Sequence, residues 1–377
     1  MSHFDITAAQ PSAWSILSRS FRSGKVASTY LLHGPEGLGQ WLLALNFTAL
    51  LNCQEPVETG DPERPARPCS TCRNCRAVFD LNFEGFHPVL PIPSHKSLSE
   101  AIDLTNETLH DLRQEPFRLL TSTAALSIPI AMAREVTRRL SRKSDEGITR
   151  VVLFYRMEKM KTAAADALLK LIEEPPPDTV VILTAGRPEM LLPTIQSRTQ
   201  KVKLNRIPEE LMVDYLTEEY EMGSDQAKLA ARLSDGVMGR AVDMSGGIDD
   251  EGQAQRETAM DLFRSMFLDP SPVSVASICD RVNPRDRGSA DELLRVWQSL
   301  ARDAHYFAVS NDAGGMTNVD FASKLKELAP CFAEAGRTDR ILAAIKNTLA
   351  DFSLNVHIHT ALAALSLQLK SVAEDRR

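Results

Sequence analysis

Positive charge is in short supply: 43 Lys and Arg stand against 50 Asp and Glu, a formal net charge of −7 over 377 residues. A basic field over the whole chain, the usual footing of autonomous nucleic-acid binding, is therefore absent, and any contact with DNA has to be local or shared with partners. Long apolar runs are missing too. None approaches the length that crosses a bilayer, and the opening MSHFDITAAQ has no basic segment followed by an apolar one, so no membrane span is expected and the cytoplasm is the expected compartment. Cysteine is scarce at six residues, yet four of them fall in the first quarter, and in a cytosolic chain such a cluster favours a metal over disulfides. Hydrophobic content of 43% and charged content of 25% are ordinary for a globular protein, and the length allows two or three domains, each with its own core.

A glycine-rich turn is present but lacks its two chemical residues. Helical spacing through Trp14, Leu17 and Phe21 predicts a first helix, Ser28 to His33 (STYLLH) a strand, and an apolar helix then runs to Leu51. Between strand and helix, Gly34 and Gly39, with Gly37 between them, fit the phosphate-loop pattern G-x-x-x-x-G-K-[ST]. Gln40 stands where a lysine should reach the β- and γ-phosphates, and Trp41 where a hydroxyl should hold magnesium. Glutamine carries no charge and indole cannot ligate a cation, so the loop has the shape of a phosphate site without its chemistry. Its backbone amides leave two readings open: weak nucleotide binding without hydrolysis, or a retained turn that binds nothing.

The cysteine cluster is Cys53 followed by Cys69, Cys72 and Cys75 in CSTCRNC. Two C-x-x-C steps sharing Cys72 let three sulfurs converge on one ion, and Cys53 can close the set from the end of the preceding helix. Four thiolates in a tetrahedron suit zinc and leave no position for water, which makes the site structural; reduced free thiols are the alternative. His87, in GFHP, is read as structural.

The richest stretch runs from Ala165 to Gln200. Ala167, Leu168, Leu171 and Ile172 recur at helical spacing and Pro175-Pro176-Pro177 ends the helix near Glu174. Thr179 to Thr184 is a β-branched apolar run, the pattern of a strand covered on both faces. Pro193 then opens a short helix that carries Ser197 and Arg198 to the surface. The run ALLKLIEEPPPDTVVILTAGRPEMLLPTIQSR resembles the segment shared by subunits of bacterial DNA polymerase III clamp loaders, a branch of the AAA+ family, in which LLKxLEEPP leads through a sensor strand to a Ser-Arg-Cys turn.

That resemblance implies a fold and a role. The fold is α/β plus all-α: a RecA-like AAA+ parallel-sheet domain over residues 1–205 with a zinc module at 53–75 and an insertion at 94–117, a helical lid at 206–248, and a helical collar or oligomerisation domain at 253–377. Arg198 matches the family's arginine finger, which reaches the ATP of a neighbouring subunit; Thr199 replaces the cysteine of the turn without touching the charge. Read without the family, Arg198 is a surface arginine capping a helix. Active members end an apolar strand in Asp-Glu, but here Val151 to Phe154 lead into Tyr155 and Arg156, with Glu158 further on, so both halves of the hydrolytic apparatus are missing. Thr184 matches a first sensor and Arg240, in LSDGVMGRAVDM, a second; with the loop dead, both are read as vestigial. A zinc module at the same spacing recurs in the family.

The implied cofactors are structural zinc and an ATP held by the neighbouring subunit. Implied partners are the loader's ATPase subunits and its delta subunit, the sliding clamp through the assembled loader, and primer-template DNA in the complex, with no membrane. Arg134, Arg138 and Arg142, four apart, line one helix face with charge, either solvated or facing DNA phosphates. Cys279 and Cys331 are read as buried small hydrophobes. Two other classes compete: a nucleotide hydrolase with divergent motifs, and a zinc-bearing scaffold for which Arg198 is incidental.

Overall fold

The computed structural model describes residues 4–58, 65–93, 97–120, 126–140, 147–160, 162–245, 250–268, 281–283, 287–353 and 356–374. Arg142, Lys143, Gly246, Gly247, Asp249, Cys279, Leu354 and Asn355, and the side chain of Ala167, lie outside them. The chain forms two compact units, Met1–Ser245 and Gly246–Arg377.

The first unit is built on five parallel strands, β1 (Thr29–His33), β2 (Phe86–Val89), β3 (Arg150–Phe154), β4 (Thr179–Ala185) and β5 (Gln200–Lys203), in the order β2-β3-β4-β1-β5. The central strands are Val-, Ile- and Leu-rich because both faces are covered: every residue of β3 and β4 is buried. Successive side chains alternate between the two faces. Tyr30, Leu32, Val151, Leu153 and Ile182 enter one core, and Leu31, Val152, Phe154, Val181 and Leu183 enter the other.

On the first face lie α1 (Ile6–Ala9), α2 (Pro11–Arg22), α3 (Gln40–Leu51) and α4 (Arg73–Phe79); α3 is buried around most of its circumference. The segment read as an insertion forms α5 (Leu98–Gln114), whose Ser97 side chain accepts from the Glu100 amide and caps it. The opposite face is covered by α6 (Ile130–Leu140), α7 (Thr162–Glu173) and α8 (Pro193–Gln196), through Val136, Leu168, Leu171, Ile172 and Ile195. The lid helices α9 (Glu209–Glu219), α10 (Ser224–Leu233) and α11 (Met238–Asp243) share the first core through Met212, Leu216, Ala230 and Met238.

In the second unit all described elements are helical: α12 (Asp250–Leu268), α13 (Arg287–Ser310), α14 (Ala322–Phe332), α15 (Arg337–Ser353) and α16 (Ile358–Glu374), with one short 3-10 turn at Val319–Phe321. Its core stacks the Phe263 and Phe332 rings 6.0 Å apart, and the Trp297 indole donates to the Ala259 carbonyl at 3.0 Å. Asp303, buried on α13, accepts from the amides of Thr317 and Asn318, which satisfies its charge and fixes the turn before α14. Cys331 is buried, as read from the sequence. No described helix in either unit is long and apolar enough to cross a membrane.

Candidate functional site

The glycine loop leaves β1 and enters α3, and its backbone needs glycine: φ is +89° at Gly37 and +93° at Gly39. The Gln40 amide group donates back to the carbonyls of Gly34 at 2.9 Å and Pro35 at 2.7 Å, so the side chain that replaces lysine closes onto its own loop. Trp41 is fully buried, edge-on to Phe86 and Tyr155 with ring centroids 6.0 Å away in each case. Burial pushes the Tyr155 hydroxyl far above its ordinary range, so it stays neutral.

The loop is also covered from outside. A Cβ at Gly39 would run into Ile6 Cδ1, and one at Gly37 would lie 2.9 Å from Leu119 Cδ2 and 3.0 Å from the Gly239 backbone. The Gly239 amide donates to the Gly37 carbonyl at 3.0 Å, so the lid meets the loop main chain to main chain. Arg240, one residue on in α11, is half-buried.

Arg156 completes the closure. It occupies the left-handed region (φ 57°), its amide donates to the Thr184 hydroxyl at 2.7 Å, and its guanidinium turns toward the loop. There it forms an ion pair with Glu36 at 2.9 Å and donates to the Leu120 carbonyl at 2.7 Å, while the Leu120 amide donates to Glu36 at 3.1 Å. Glu158 is a looser second carboxylate, 3.9 Å from Arg156 Nε. Burial raises the Glu36 carboxyl above its ordinary value, and Arg156 and the Leu120 amide oppose the shift. This Glu36–Arg156 pair was not read from the sequence, where the two charges stand far apart.

Arg156→Met should therefore strand a buried carboxylate. Breaking a fully buried pair costs about 3–5 kcal/mol, and with Glu36 still 23% exposed about 2 kcal/mol is expected here. The sign of the pH dependence follows from the raised Glu36. A carboxyl with a raised folded pKa favours the fold when protonated; that contribution is complete below its unfolded value and is lost as pH rises through the folded one. The variant's melting deficit should thus be larger near pH 8 than near pH 5. A Glu36→Gln/Arg156→Met double variant should recover most of it, and a deficit independent of pH would contradict the pairing.

Arg198 is apart from these residues. It follows α8, two residues before Gln200 of β5, and makes its polar contacts with its own neighbourhood: Nε to Glu173 at 2.6 Å and NH1 to the Thr194 carbonyl at 3.0 Å, with the side chain 40% exposed.

The four cysteines do converge. Their sulfurs all lie within 4.8 Å of one another, with Cys69 and Cys75 4.0 Å apart; four sulfurs about 2.3 Å from one zinc would be about 3.8 Å apart. Three amides already point at sulfur: Cys69 at Cys53, Cys72 at Cys69 and Cys75 at Cys72, at 3.3, 3.3 and 3.4 Å. The Cys72 amide brings the Cys69 thiol down to about 6, favouring the thiolate a metal needs. The group could hold a metal, and its all-sulfur donor set fits zinc. Its surroundings are tied to the core: the Asn52 side chain bonds the backbone of Thr149 just before β3, Asn74 donates to the Asn52 carbonyl, and the Trp14 indole donates to the Ala66 carbonyl at 3.1 Å.

The basic face of α6 is partly neutralised. Arg138 and Arg139 both pair with Glu135, at 2.8 and 3.0 Å, leaving exposed Arg134 of the three read as a stripe; Arg142 is outside the described residues.

Comparison with known proteins matches residues 9–208 to the family described as DNA polymerase III, delta subunit. Among curated proteins the chain is similar to DNA polymerase III subunit delta' of Escherichia coli K12, 32% identical over 203 residues covering 54% of this chain and 58% of the relative. It is 31% identical to the protein of the same name from Pseudomonas aeruginosa PAO1 over 194 residues, covering 52% and 47%, and 25% identical to that of Bacillus subtilis 168 over 245 residues, covering 64% and 60%. The matched stretch thus spans about half the length of these relatives. Among solved structures, a DNA polymerase III gamma subunit-related protein of Thermotoga maritima aligns over 95% of this chain and 99% of its own at 14% identity and a TM-score of 0.40.

Proposed function

The chain belongs to the family of the DNA polymerase III delta subunit, and from that premise we propose that it is a delta-prime-like clamp-loader subunit that hydrolyses no ATP itself and lends Arg198 in trans to an ATP bound by a neighbouring ATPase subunit. Its partners in this reading are the loader's ATPase subunits and delta subunit, the sliding clamp, and primed DNA inside the assembly. The helical second unit serves as a collar between subunits.

The observation that supports the reading best is the contrast between two arginines. Arg156 is turned inward onto Glu36 and spends its charge inside the chain, where a nucleotide's phosphates would otherwise need it. Arg198 is exposed and held by its Nε and NH1 atoms, leaving the NH2 edge with no partner among the described residues. A planar, permanently charged fork is suited to the charge that develops on a γ-phosphoryl group. The chain's own task is then to hold that fork at its surface and to keep its own cradle shut.

Zinc, when bound by Cys53, Cys69, Cys72 and Cys75, would supply a cross-link and no reaction chemistry, because four protein ligands leave no open position. The residues' work is to fix the loop between Cys53 and Cys69 against α2 and α3.

Two measurements test the two halves. Mg-ATP at about 1 mM should leave the melting temperature of the isolated chain unchanged, whereas a ligand present at about 100 times its Kd would add about 2.7 kcal/mol. A rise of several degrees would refute the closed cradle, and full ATP turnover by a loader assembled with Arg198→Ala would refute the finger.

A further inference from the structure

Glu173 ends α7, and a carboxylate in the last turn of a helix sits against the negative end of the helix dipole. Nothing about the helix itself calls for an acid there. The proline run Pro175-Pro176-Pro177 that follows fixes where the helix stops, and so fixes where this carboxylate stands. Opposite it, the Arg198 backbone is held by its amide bond to the Ile195 carbonyl at 3.2 Å, and two residues later the chain is already paired to β1 at Gln200. Between these two pieces runs an ion pair, Glu173 Oε1 to Arg198 Nε at 2.6 Å.

The atoms used decide what the contact does. An arginine guanidinium offers two double-donor edges, Nε with one terminal nitrogen and the two terminal nitrogens together, and a carboxylate that took both terminal nitrogens would hide the fork. Here the carboxylate lies against Nε, the Thr194 carbonyl accepts from NH1 at 3.0 Å, and NH2 has no partner among the described residues. With the inner edge and one terminal nitrogen fixed, the plane of the group is set before anything is bound, and the rotamer freedom a long side chain would lose on docking has already been removed.

We infer that Glu173 is a positioning residue for Arg198, holding the guanidinium by its inner edge so that its outer edge faces a partner's phosphate. The inference rests on the reading of Arg198 as a finger acting in trans.

The test is ATP hydrolysis by the fully reconstituted loader with clamp and primed DNA, carrying the native chain, Glu173→Ala, Glu173→Gln or Arg198→Ala. Glu173→Ala should lower kcat by about tenfold, the scale of losing an outer contact that orients a functional group, with the KM for ATP unchanged. Glu173→Gln should remain within about threefold of native, because its amide oxygen can stand against Nε where the carboxylate oxygen does. The melting temperature of both variants should match native, since an exposed pair of this kind carries little stability. Native or faster turnover with Glu173→Ala, alongside a large loss with Arg198→Ala, overturns the positioning role and leaves the finger standing. Equal losses for the alanine and glutamine variants overturn it too, because charge and not geometry would then be at work. Native turnover with Arg198→Ala overturns the finger and the inference with it.

Discussion

Replacing Arg198 by alanine is expected to lower the clamp- and DNA-stimulated ATPase of the assembled loader by about 10³-fold, the lower end of what a finger supplied in trans contributes. The loss should fall on kcat, because the guanidinium is asked to meet charge that appears only as the γ-phosphoryl group transfers. Folding should be untouched: the side chain is 40% exposed and its partner Glu173 is 39% exposed, so an unpaired Glu173 remains hydrated. Arg198→Lys should recover only part of the rate, since an ammonium restores charge without the planar fork. Phosphate release is the measurement, with co-elution of every subunit on size exclusion as the control for assembly. A variant loader within twofold of native would make this chain a scaffold.

The second large effect concerns the thiols. Removing the metal with a strong chelator, or replacing Cys72 by serine, should lower the melting temperature of the first unit by more than about 10 °C, as expected for losing a structural metal bond set worth several kcal/mol. Cys72 is the informative position because its sulfur also caps α4, accepting from the Cys75 amide at 3.4 Å. Without the ion, four sulfurs within 4.8 Å would have to remain close with only weak N–H···S bonds from backbone amides around them. Metal analysis of the purified chain should find one zinc per chain, and re-addition of zinc to the stripped protein should restore the transition. A metal-free chain that melts at the same temperature with and without chelator would reduce the cluster to free cysteines.

The parts of the fold that rest on local pattern were legible. Thr179 to Thr184 read as a doubly covered strand because β-branched residues occupy both faces of it, and all of β4 is indeed buried. The glycine loop, the stop at Pro175 and the short helix opened by Pro193 were equally visible, since each depends on a backbone restriction carried by one residue type. The four cysteines could be paired with one site by spacing alone. What escaped reading depends on contacts between distant segments. Glu36 and Arg156 are 120 positions apart and acquire meaning only when the sheet brings β1 and β3 to the same end. Leu119 and Leu120, just beyond the stretch read as an unassigned insertion, cover the glycine loop. The basic face of α6 is a different case: Glu135 lies three and four residues before Arg138 and Arg139, so its neutralising role was available from helical spacing.

The hydrogen bond from the Trp14 indole to the Ala66 carbonyl gives the protein a built-in optical gauge. The chain has three tryptophans, and they stand in separate surroundings: Trp14 against the loop that the cysteines anchor, Trp41 under the glycine loop, and Trp297 in the helical core of the second unit. A variant retaining one indole at a time would therefore emit from one of these surroundings alone. Loss of the Ala66 contact would move the Trp14 emission to the red as water reached the ring, while Trp297 stayed constant. Order of events during metal removal or subunit assembly could then be followed in real time without attaching a dye.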